Sequence, residues 1–256
     1  MRICRFYDNN SEECFGIIEN KIIIEIEGTP FGNLVRKDTK HNLDEVKLIA
    51  PCAPSKIVAI GLNYKDHAKE MNKTVPTEPI LFIKPSSSVI AHEDNIIYPS
   101  HMSSRVDFEG ELAVVISKEA KHIKPSNALD YVLGYTCIND VTARDLQAKD
   151  GQFTRAKGFD TFAPLGPWIE TRLSPFDLEI KTFLNGDLKQ HSTTSNLIFD
   201  VPRLISFISN VMTLYPGDVI STGTPSGIAP MYPGDKVEVE IQGIGSLQNY
   251  IVENKN

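Results

Sequence analysis

The segment 107–117, DFEGELAVVIS, combines a hydrophobic alternation with a row of carboxylates. In an extended chain, successive side chains point to opposite faces. One face then carries an apolar set made of Phe108, Gly110, Leu112, Val114 and Ile116. The other face begins with Asp107, Glu109 and Glu111 before it becomes apolar. The pattern predicts a strand that runs into the core and starts with acidic side chains on one side.

The acidic row has two interpretations. Alternate residues of a strand lie roughly 6.6 Å apart, and two carboxylates at that distance repel by about 2.5 kcal/mol at an effective dielectric of 20. A solvated strand end would screen this repulsion, whereas a buried pair would need a cation between the two groups. The segment by itself leaves both interpretations open.

Other patterns predict the remaining elements of the main body. We expect strands at 56–61, 80–84 and 131–140, and short helices over YKDHAKEM, capped by Asn63, and over 141–150. The segment 201–214 has apolar residues at helical spacing. Asn185-Gly186 between two alternating runs predicts a hairpin, and the two YPGD tetrapeptides predict type II turns that each lead into a strand.

The first fifty residues form a separate pattern. The stretch 15–28 predicts a hairpin around Glu19-Asn20, a polar segment follows at 36–48, and Pro51 and Pro54 come next. We therefore predict a small β-rich N-terminal domain over 1–50 and a main domain over 51–256. Together, the elements indicate a β-rich α+β protein with few short helices.

Composition narrows the class of protein. The 256 residues carry 26 Lys and Arg against 33 Asp and Glu, a net charge of −7, which argues against nucleic acid or an anionic membrane as partner. The four cysteines are scattered, as is usual in a reduced compartment. The sequence shows neither a signal-peptide pattern nor 18 consecutive apolar residues. We expect a cytoplasmic protein, and the chain contains no glycine-rich nucleotide motif that would indicate an organic cofactor.

Four segments besides the acidic row contain candidate functional residues. Asp140 lies between a predicted strand and a predicted helix, so it is either an N-cap or a metal ligand. His67 and Glu70 share a helix face at i, i+3, as a general base and its orienting carboxylate would, or as a solvated pair would. Lys157 could stabilise a developing negative charge, although most lysines have no such role.

A fourth segment, STGTPSG at 221–227, is equally well explained as a ligand-binding loop that uses Thr224 or as a tight turn. If Glu109, Glu111 and Asp140 converge, their oxygens would select a hard cation, Mg²⁺ or Mn²⁺ and less readily Ca²⁺, over zinc.

In order along the chain, these segments resemble the fumarylacetoacetate hydrolase family. The matching pieces cover residues 56 to 250 and are GLNYKDHAKEM, EPILFIKPSSS, DFEGELAVVIS, YTCINDVTARDLQ, AKGFDTFAPLGP, NGDLKQHSTTSNLIF and DVISTGTPSGI. The first 50 residues resemble the small N-terminal domain of bacterial members. The resemblance implies layered, rolled β-sheets and a homodimer.

The resemblance also implies roles for individual residues. Glu109, Glu111 and Asp140 match the carboxylates that hold a divalent metal, usually Mg²⁺. His67 and Glu70 match a dyad that activates water, and Lys157 matches the active-site lysine. The positions expected to bind substrate are Arg144, Gln147 and Thr224.

The reaction implied by the resemblance is cleavage of a C–C bond in an acylpyruvate-type 2-oxo acid, by hydrolysis or decarboxylation, with a metal-stabilised pyruvate enolate as leaving group. The alternative is an isomerase, or a decarboxylase, of aromatic-acid catabolism that acts on unsaturated 2-hydroxy dioates. An oxaloacetate tautomerase is a further alternative. The His67–Glu70 pair favours bond cleavage, because isomerisation needs no activated water.

Overall fold

Strands dominate the chain, as the alternating segments predict. The computed structural model describes residues 1–254. Its strands are, in chain order, β1 (Arg2–Tyr7), β2 (Glu13–Glu19), β3 (Ile22–Ile26), β4 (Arg36–Asn42), β5 (Lys47–Ile49), β6 (Ile57–Ile60), β7 (Leu81–Lys84), β8 (Val89–Ile90), β9 (Asn95–Tyr98), β10 (Val106–Asp107), β11 (Gly110–Ile116), β12 (Val132–Asn139), β13 (Thr142–Ala143), β14 (Ala163–Glu170), β15 (Glu179–Leu184), β16 (Asp187–Thr193), β17 (Val219–Ser221), β18 (Pro230–Met231), β19 (Lys236–Ile241) and β20 (Gly245–Glu253). The α-helices are α1 (Lys65–Glu70), α2 (Arg144–Asp150), α3 (Phe153–Lys157) and α4 (Val201–Val211). The prediction of a β-rich α+β fold is therefore confirmed.

The largest sheet places β11 near its centre. The sheet has 12 strands in the order β4-β3-β2-β1-β14-β12-β11-β17-β6-β7, with β5 on β1 and β8 on β14. Leu112 and Val114 pack on one face against α4 and the five-stranded sheet, while Ala113 and Val115 pack on the other face. Because β11 is buried on both faces, its sequence is an almost continuous apolar run after the acidic residues.

A five-stranded sheet, β16-β15-β19-β20-β9, and a three-stranded sheet, β13-β10-β18, complete the architecture. Ile180, Val239 and Ile241 from the five-stranded sheet join the core beside β11. Helix α4 contributes Leu204 and Ile208 to the same core, and it begins at Asp200, whose side chain caps the backbone N–H of Arg203. These layers hold the N-terminal end of β11 in place, and the acidic residues lie at that end.

The predicted turns are confirmed. Asn185 and Gly186 have φ values of 54° and 88°, as the two-residue turn between β15 and β16 requires. In the YPGD segments, Gly217 and Gly234 have φ values of 86° and 100°, which suit the third position of a type II turn. Strands β17 and β19 follow directly, as expected.

The N-terminal strands continue the largest sheet. The predicted hairpin is confirmed as β2 and β3, and the polar segment that follows contains β4. Strand β1 pairs with β2 on one side and with β14 on the other, with Arg2 opposite Glu170 and Ile3 opposite Ile169. The division into domains at residue 50 stays a prediction. None of the helices in residues 1–254 has the length and apolar character needed to cross a membrane.

Three expectations about local structure are wrong. The acidic strand is interrupted at 108–109, because β10 pairs with β13 and β18 in the small sheet while β11 pairs with β12 and β17. The helix expected over 141–150 begins at Arg144, since Thr142–Ala143 forms β13. Asn63 caps no helix: it is buried, and its side chain bonds the backbone of Phe199 and Thr222.

Candidate active site

Three carboxylates converge where β11 begins and β12 ends. The strands are antiparallel with Gly110 opposite Asn139, so Glu109 and Asp140 lie side by side, and the Asp140 N–H donates to the Glu109 carbonyl at 2.8 Å. Glu111 follows one residue into β11 on the same side. The three side chains are buried, and one oxygen from each lies within 4.8 Å of the others. Asp140 is thus not an N-cap; Ala143 occupies that position of α2.

Because Gly110 has no side chain, the start of β11 can lie against β15 of the five-stranded sheet. A Cβ at Gly110 would lie 2.2 Å from the Thr182 hydroxyl of β15. The Gly110 N–H also donates to the buried amide oxygen of Gln190 at 3.0 Å. Any side chain at position 110 would push β11 away from β15 and displace Glu109 and Glu111.

The charged form of Glu111 is disfavoured by its surroundings. Burial and the carboxylates of Asp140 and Glu109 hold the pKa of Glu111 well above its usual value. The Ser221 hydroxyl and the Gly223 N–H donate to one Glu111 oxygen at 2.5 and 2.7 Å. The other oxygen is left for a proton or a cation.

Glu109 is surrounded by cations. Burial opposes ionisation, but Lys157 and Arg144 outweigh it and lower the pKa of Glu109. The Lys157 ammonium donates to Glu109 at 2.7 Å and to Asp140 at 2.6 Å. Burial would lower the pKa of Lys157, yet these two carboxylates raise it. Lys157 therefore places a positive charge at the centre of the site.

Lys84, at the end of β7, lies in the candidate site and was missed by the sequence analysis. It is fully buried, and its ammonium donates to Asp140 at 2.6 Å and to the Val141 carbonyl at 3.2 Å. Burial lowers the pKa of Lys84, and Asp140 partly offsets this effect. The sequence contains a signal for this contact, because Lys84 ends the apolar strand ILFIK. A lysine in such a strand is expected to be buried, and buried lysines are almost always paired with an acidic group.

Arg144 connects the acidic cluster to helix α2. Its guanidinium donates to the buried Asp107 at 2.9 Å, to Glu109, and to the Gln147 side-chain oxygen at 2.6 Å. Asp107, which the sequence analysis placed in the acidic row without a role, therefore aligns the arginine. Gln147 retains its side-chain N–H groups for a ligand.

The predicted dyad is assembled on α1. His67 Nδ1 lies 2.8 Å from one oxygen of Glu70, and the other Glu70 oxygen accepts the Gly227 N–H at 3.0 Å. Asp66 links the same helix to Ser192 at 2.7 Å. His67 is 9% exposed, so the ring is shielded but still reaches the cavity beside the carboxylates.

Thr224 lies in the turn that follows β17. Its hydroxyl donates to the Gly110 carbonyl at 3.0 Å and accepts from Gln190 at 2.8 Å. These bonds join the turn to the start of β11. The segment 221–227 thus supports the acidic cluster directly through Ser221, Gly223 and Thr224.

A cavity of about 320 Å³ connects these groups. The predicted site residues that line it are His67, Glu109, Glu111, Arg144, Gln147, Lys157 and Thr224. Asp140 lies behind Lys157 in the acidic cluster, and Glu70 lies behind His67. The roles assigned to these residues from sequence stay predictions, but the fold brings all of them to one place.

The donor set suits a hard divalent cation. Metal–oxygen distances of about 2.1 to 2.6 Å place ligand oxygens no more than roughly 5 Å apart around one ion, and the three carboxylates meet that limit. Burial, together with the neighbouring carboxylates of Asp140 and Glu109, raises the pKa of Glu111, and a bound cation would offset both effects. Oxygen-only donors exclude a preference for zinc.

Comparison with family models gives two matches. Residues 56–252 match the model described as fumarylacetoacetate (FAA) hydrolase C-terminal, and residues 1–51 match one described as Rv2993c-like, N-terminal. An uncharacterised protein of Archaeoglobus fulgidus is 61% identical over 82% of this chain and 84% of its own length. An oxaloacetate tautomerase of Bacillus subtilis is 43% identical over 82% of this chain and 75% of its own length.

Two solved structures are also similar over the whole chain. A 5-carboxymethyl-2-hydroxymuconate delta-isomerase from Mycobacterium smegmatis has a TM-score of 0.94 and 43% identity, over 99% of this chain and 100% of that one. A maleylpyruvate hydrolase from Sphingobium, solved with manganese and pyruvate, has a TM-score of 0.83 and 29% identity, over the full length of both chains.

Proposed function

Because the chain belongs to the fumarylacetoacetate hydrolase family, we propose that it is a divalent-metal-dependent enzyme that acts on a 2-oxo acid through its enolate. One observation carries this proposal. A histidine paired with a carboxylate and a buried acidic cluster line the same cavity. Proton transfer and charge stabilisation can therefore act on one small molecule.

Glu109, Glu111 and Asp140 would hold the metal, for which Mg²⁺ is the first candidate and Mn²⁺ or Ca²⁺ the alternatives. When bound, the ion supplies a Lewis acid toward the oxygens of a 2-oxo acid. The similar hydrolase solved with manganese and pyruvate supports both the metal and the class of ligand.

Lys157 stabilises negative charge that develops on the 2-oxygen of the substrate. Its ammonium is already fixed by Glu109 and Asp140, so it needs no reorganisation when charge appears. Gln147, Arg144 and Thr224 line the same cavity and bind a substrate carboxylate. The substrate is thus held by its polar end.

His67 transfers the proton. Its Nδ1 is bound to Glu70, which leaves Nε2 as the base that faces the cavity. Glu70 is itself fixed by the Gly227 N–H, so the ring has one orientation. In hydrolysis, Nε2 takes a proton from the water that attacks the distal carbonyl.

Hydrolytic or decarboxylative cleavage of an acylpyruvate-type acid is the first candidate reaction, because an oriented, shielded histidine suits water activation. Isomerisation of an unsaturated 2-hydroxy dioate is the second, and the isomerase structure with 43% identity over 99% of the chain favours it. Oxaloacetate tautomerisation is supported by the relative from Bacillus subtilis.

A substrate panel with Mg²⁺ tests the proposal. We expect turnover of acetylpyruvate, oxaloacetate or a hydroxymuconate-type dioate, and a loss of about 10²–10⁴ in hydrolytic kcat for His67→Ala. Oxaloacetate decarboxylation, which needs no attacking water, should be retained by the variant. The exposed His101, outside the cavity, provides the control His101→Ala. Equal losses of both activities in His67→Ala would contradict water activation, and no turnover of any member would contradict the proposed function.

The homodimer and the cytoplasmic location stay predictions. Light scattering on the purified protein would give the assembly state directly.

A further inference from the structure

The basic side chains of the cavity differ in whether a carboxylate neutralises them. Arg144 contacts Asp107 and Glu109, and Lys157 contacts Glu109 and Asp140. Lys73 also lines the cavity, but within residues 1–254 no carboxylate lies at ion-pair distance from it. Its charge is therefore available to an anion that enters from outside.

The backbone after α1 directs Lys73 to the cavity mouth. Asn72 has a φ of 51°, and the Lys73 N–H bonds the Ala68 carbonyl at 3.0 Å, so the chain folds back over the end of the helix. Lys73 is exposed, whereas Glu109 and Glu111, which line the same cavity, are buried. The site thus has a charged floor and a separate cation at its rim.

Apolar side chains line much of the rest of the cavity. The lining residues of this kind include Leu62, Met71, Phe82 and Phe153. The rings of Phe82 and Phe153 meet edge to face, with centroids 5.3 Å apart. Such a surface suits a short, planar carbon chain and offers no hydrogen-bond donor to a carboxylate along its length.

From this arrangement, which rests on the proposed function, we infer that Lys73 selects substrates with a second carboxylate. The 2-oxo acid end lies at the acidic cluster, the carbon chain crosses the apolar wall, and the distal carboxylate binds the Lys73 ammonium. The preferred class is then a 2-oxo or 2-hydroxy diacid, and a monoacid with an apolar tail binds more weakly.

Binding of two unreactive ligands tests this inference without any turnover. The compounds are 2-oxoadipate and 2-oxohexanoate, which share six carbons and differ in the distal carboxylate. Calorimetric titration with Mg²⁺ present would compare wild type, Lys73→Met and the matched control Lys69→Met. Lys69 lies on α1, is exposed, and does not line the cavity.

We expect wild type to bind the diacid about fivefold more tightly than the monoacid, as one ion pair near the surface allows, with the difference falling as salt rises. Lys73→Met should remove this preference and leave monoacid affinity unchanged, and Lys69→Met should retain it. A diacid preference that survives in Lys73→Met, or is absent from wild type although both ligands bind, overturns the inference and leaves the proposed function standing. If wild type binds neither 2-oxo acid, the proposed function itself fails.

Discussion

At the scale of single residues, charge balance around Asp140 depends on two lysines. The Asp140 oxygens are shared between Lys84 and Lys157, each at 2.6 Å. Lys84 differs from Lys157 because it is fully buried and does not line the cavity. Any effect of Lys84 on the proposed reaction would therefore be transmitted through the position and charge of Asp140.

Replacement of Lys84 by methionine should destabilise the protein. Without Lys84, the buried Asp140 carboxylate loses one of its two positive partners, and the free energy of unfolding should fall by roughly 3 kcal/mol. This value is at the lower end for broken buried ion pairs, because Lys157 still contacts Asp140. Urea unfolding without added metal would measure this. The exposed Lys121→Met is the matched control, and an equal effect of both substitutions would refute the assignment.

Residues whose partners are near in sequence were predictable, and those with distant partners were not. The acidic row at 107–111 and the His67–Glu70 pair follow from strand and helix periodicity. Asn63 was assigned to a local cap, although its side chain bonds Phe199 and Thr222, which lie 136 and 159 residues away. Lys84 contacts Asp140, which is separated from it by 56 positions in the sequence. No periodicity in the sequence indicates that contact.

At the scale of elements, turn chemistry was more reliable than element boundaries. The Asn185-Gly186 hairpin and both YPGD turns rest on residues that themselves adopt the required φ. The strand at 107–117 and the helix at 141–150 were predicted too long, because β10 and β13 pair with each other in a sheet that local patterns cannot show.

In the N-terminal strands, Glu25 of β3 gives a pH-dependent contribution to stability. Burial would raise the pKa of Glu25, but Lys37 and His41 outweigh it and lower the pKa. A depressed pKa in the folded state means that the contribution is present above the unfolded value of 4.5 and is lost as the pH falls through the folded value.

We therefore expect Glu25→Gln to be less stable than wild type at pH 7, by at most about 1 kcal/mol. The difference should shrink as the pH falls below 4.5. Guanidinium unfolding across pH 3 to 7 would measure it. The exposed Glu45→Gln should show no such trend, and a gap that widens in acid would contradict the sign of the shift.

At the scale of the whole molecule, metal binding should stabilise the fold. A ligand at one hundred times its Kd adds about 2.7 kcal/mol, which for a chain of this size raises Tm by roughly 5 to 10 °C. Glu111→Gln removes one ligand charge but keeps an oxygen that can accept from Ser221 and Gly223. Its Tm with EDTA should be close to that of wild type, and Mg²⁺ should hardly change it.

Differential scanning calorimetry with Mg²⁺ or EDTA would check this expectation. Glu119→Gln, at an exposed position, should respond to Mg²⁺ as wild type does. A full Tm increase in Glu111→Gln would rule out Glu111 as a ligand.

The layered arrangement of sheets was predictable only through the family resemblance. Strand β11 pairs with β17, whose Ser221 lies opposite Ala113, and β17 pairs in parallel with β6. These pairings join segments more than a hundred residues apart, so alternation identifies the strands without giving their order. The β-rich class, by contrast, follows from composition and pattern.

The pairing of Arg2 and Ile3 with β14 has a practical consequence for any expression of residues 51–256 alone. A protein that starts near residue 51 would expose the edge of β14 that pairs with β1, together with the apolar surface that Ile3 covers. We expect such a fragment to aggregate during expression, so the first fifty residues should be kept in the expressed protein.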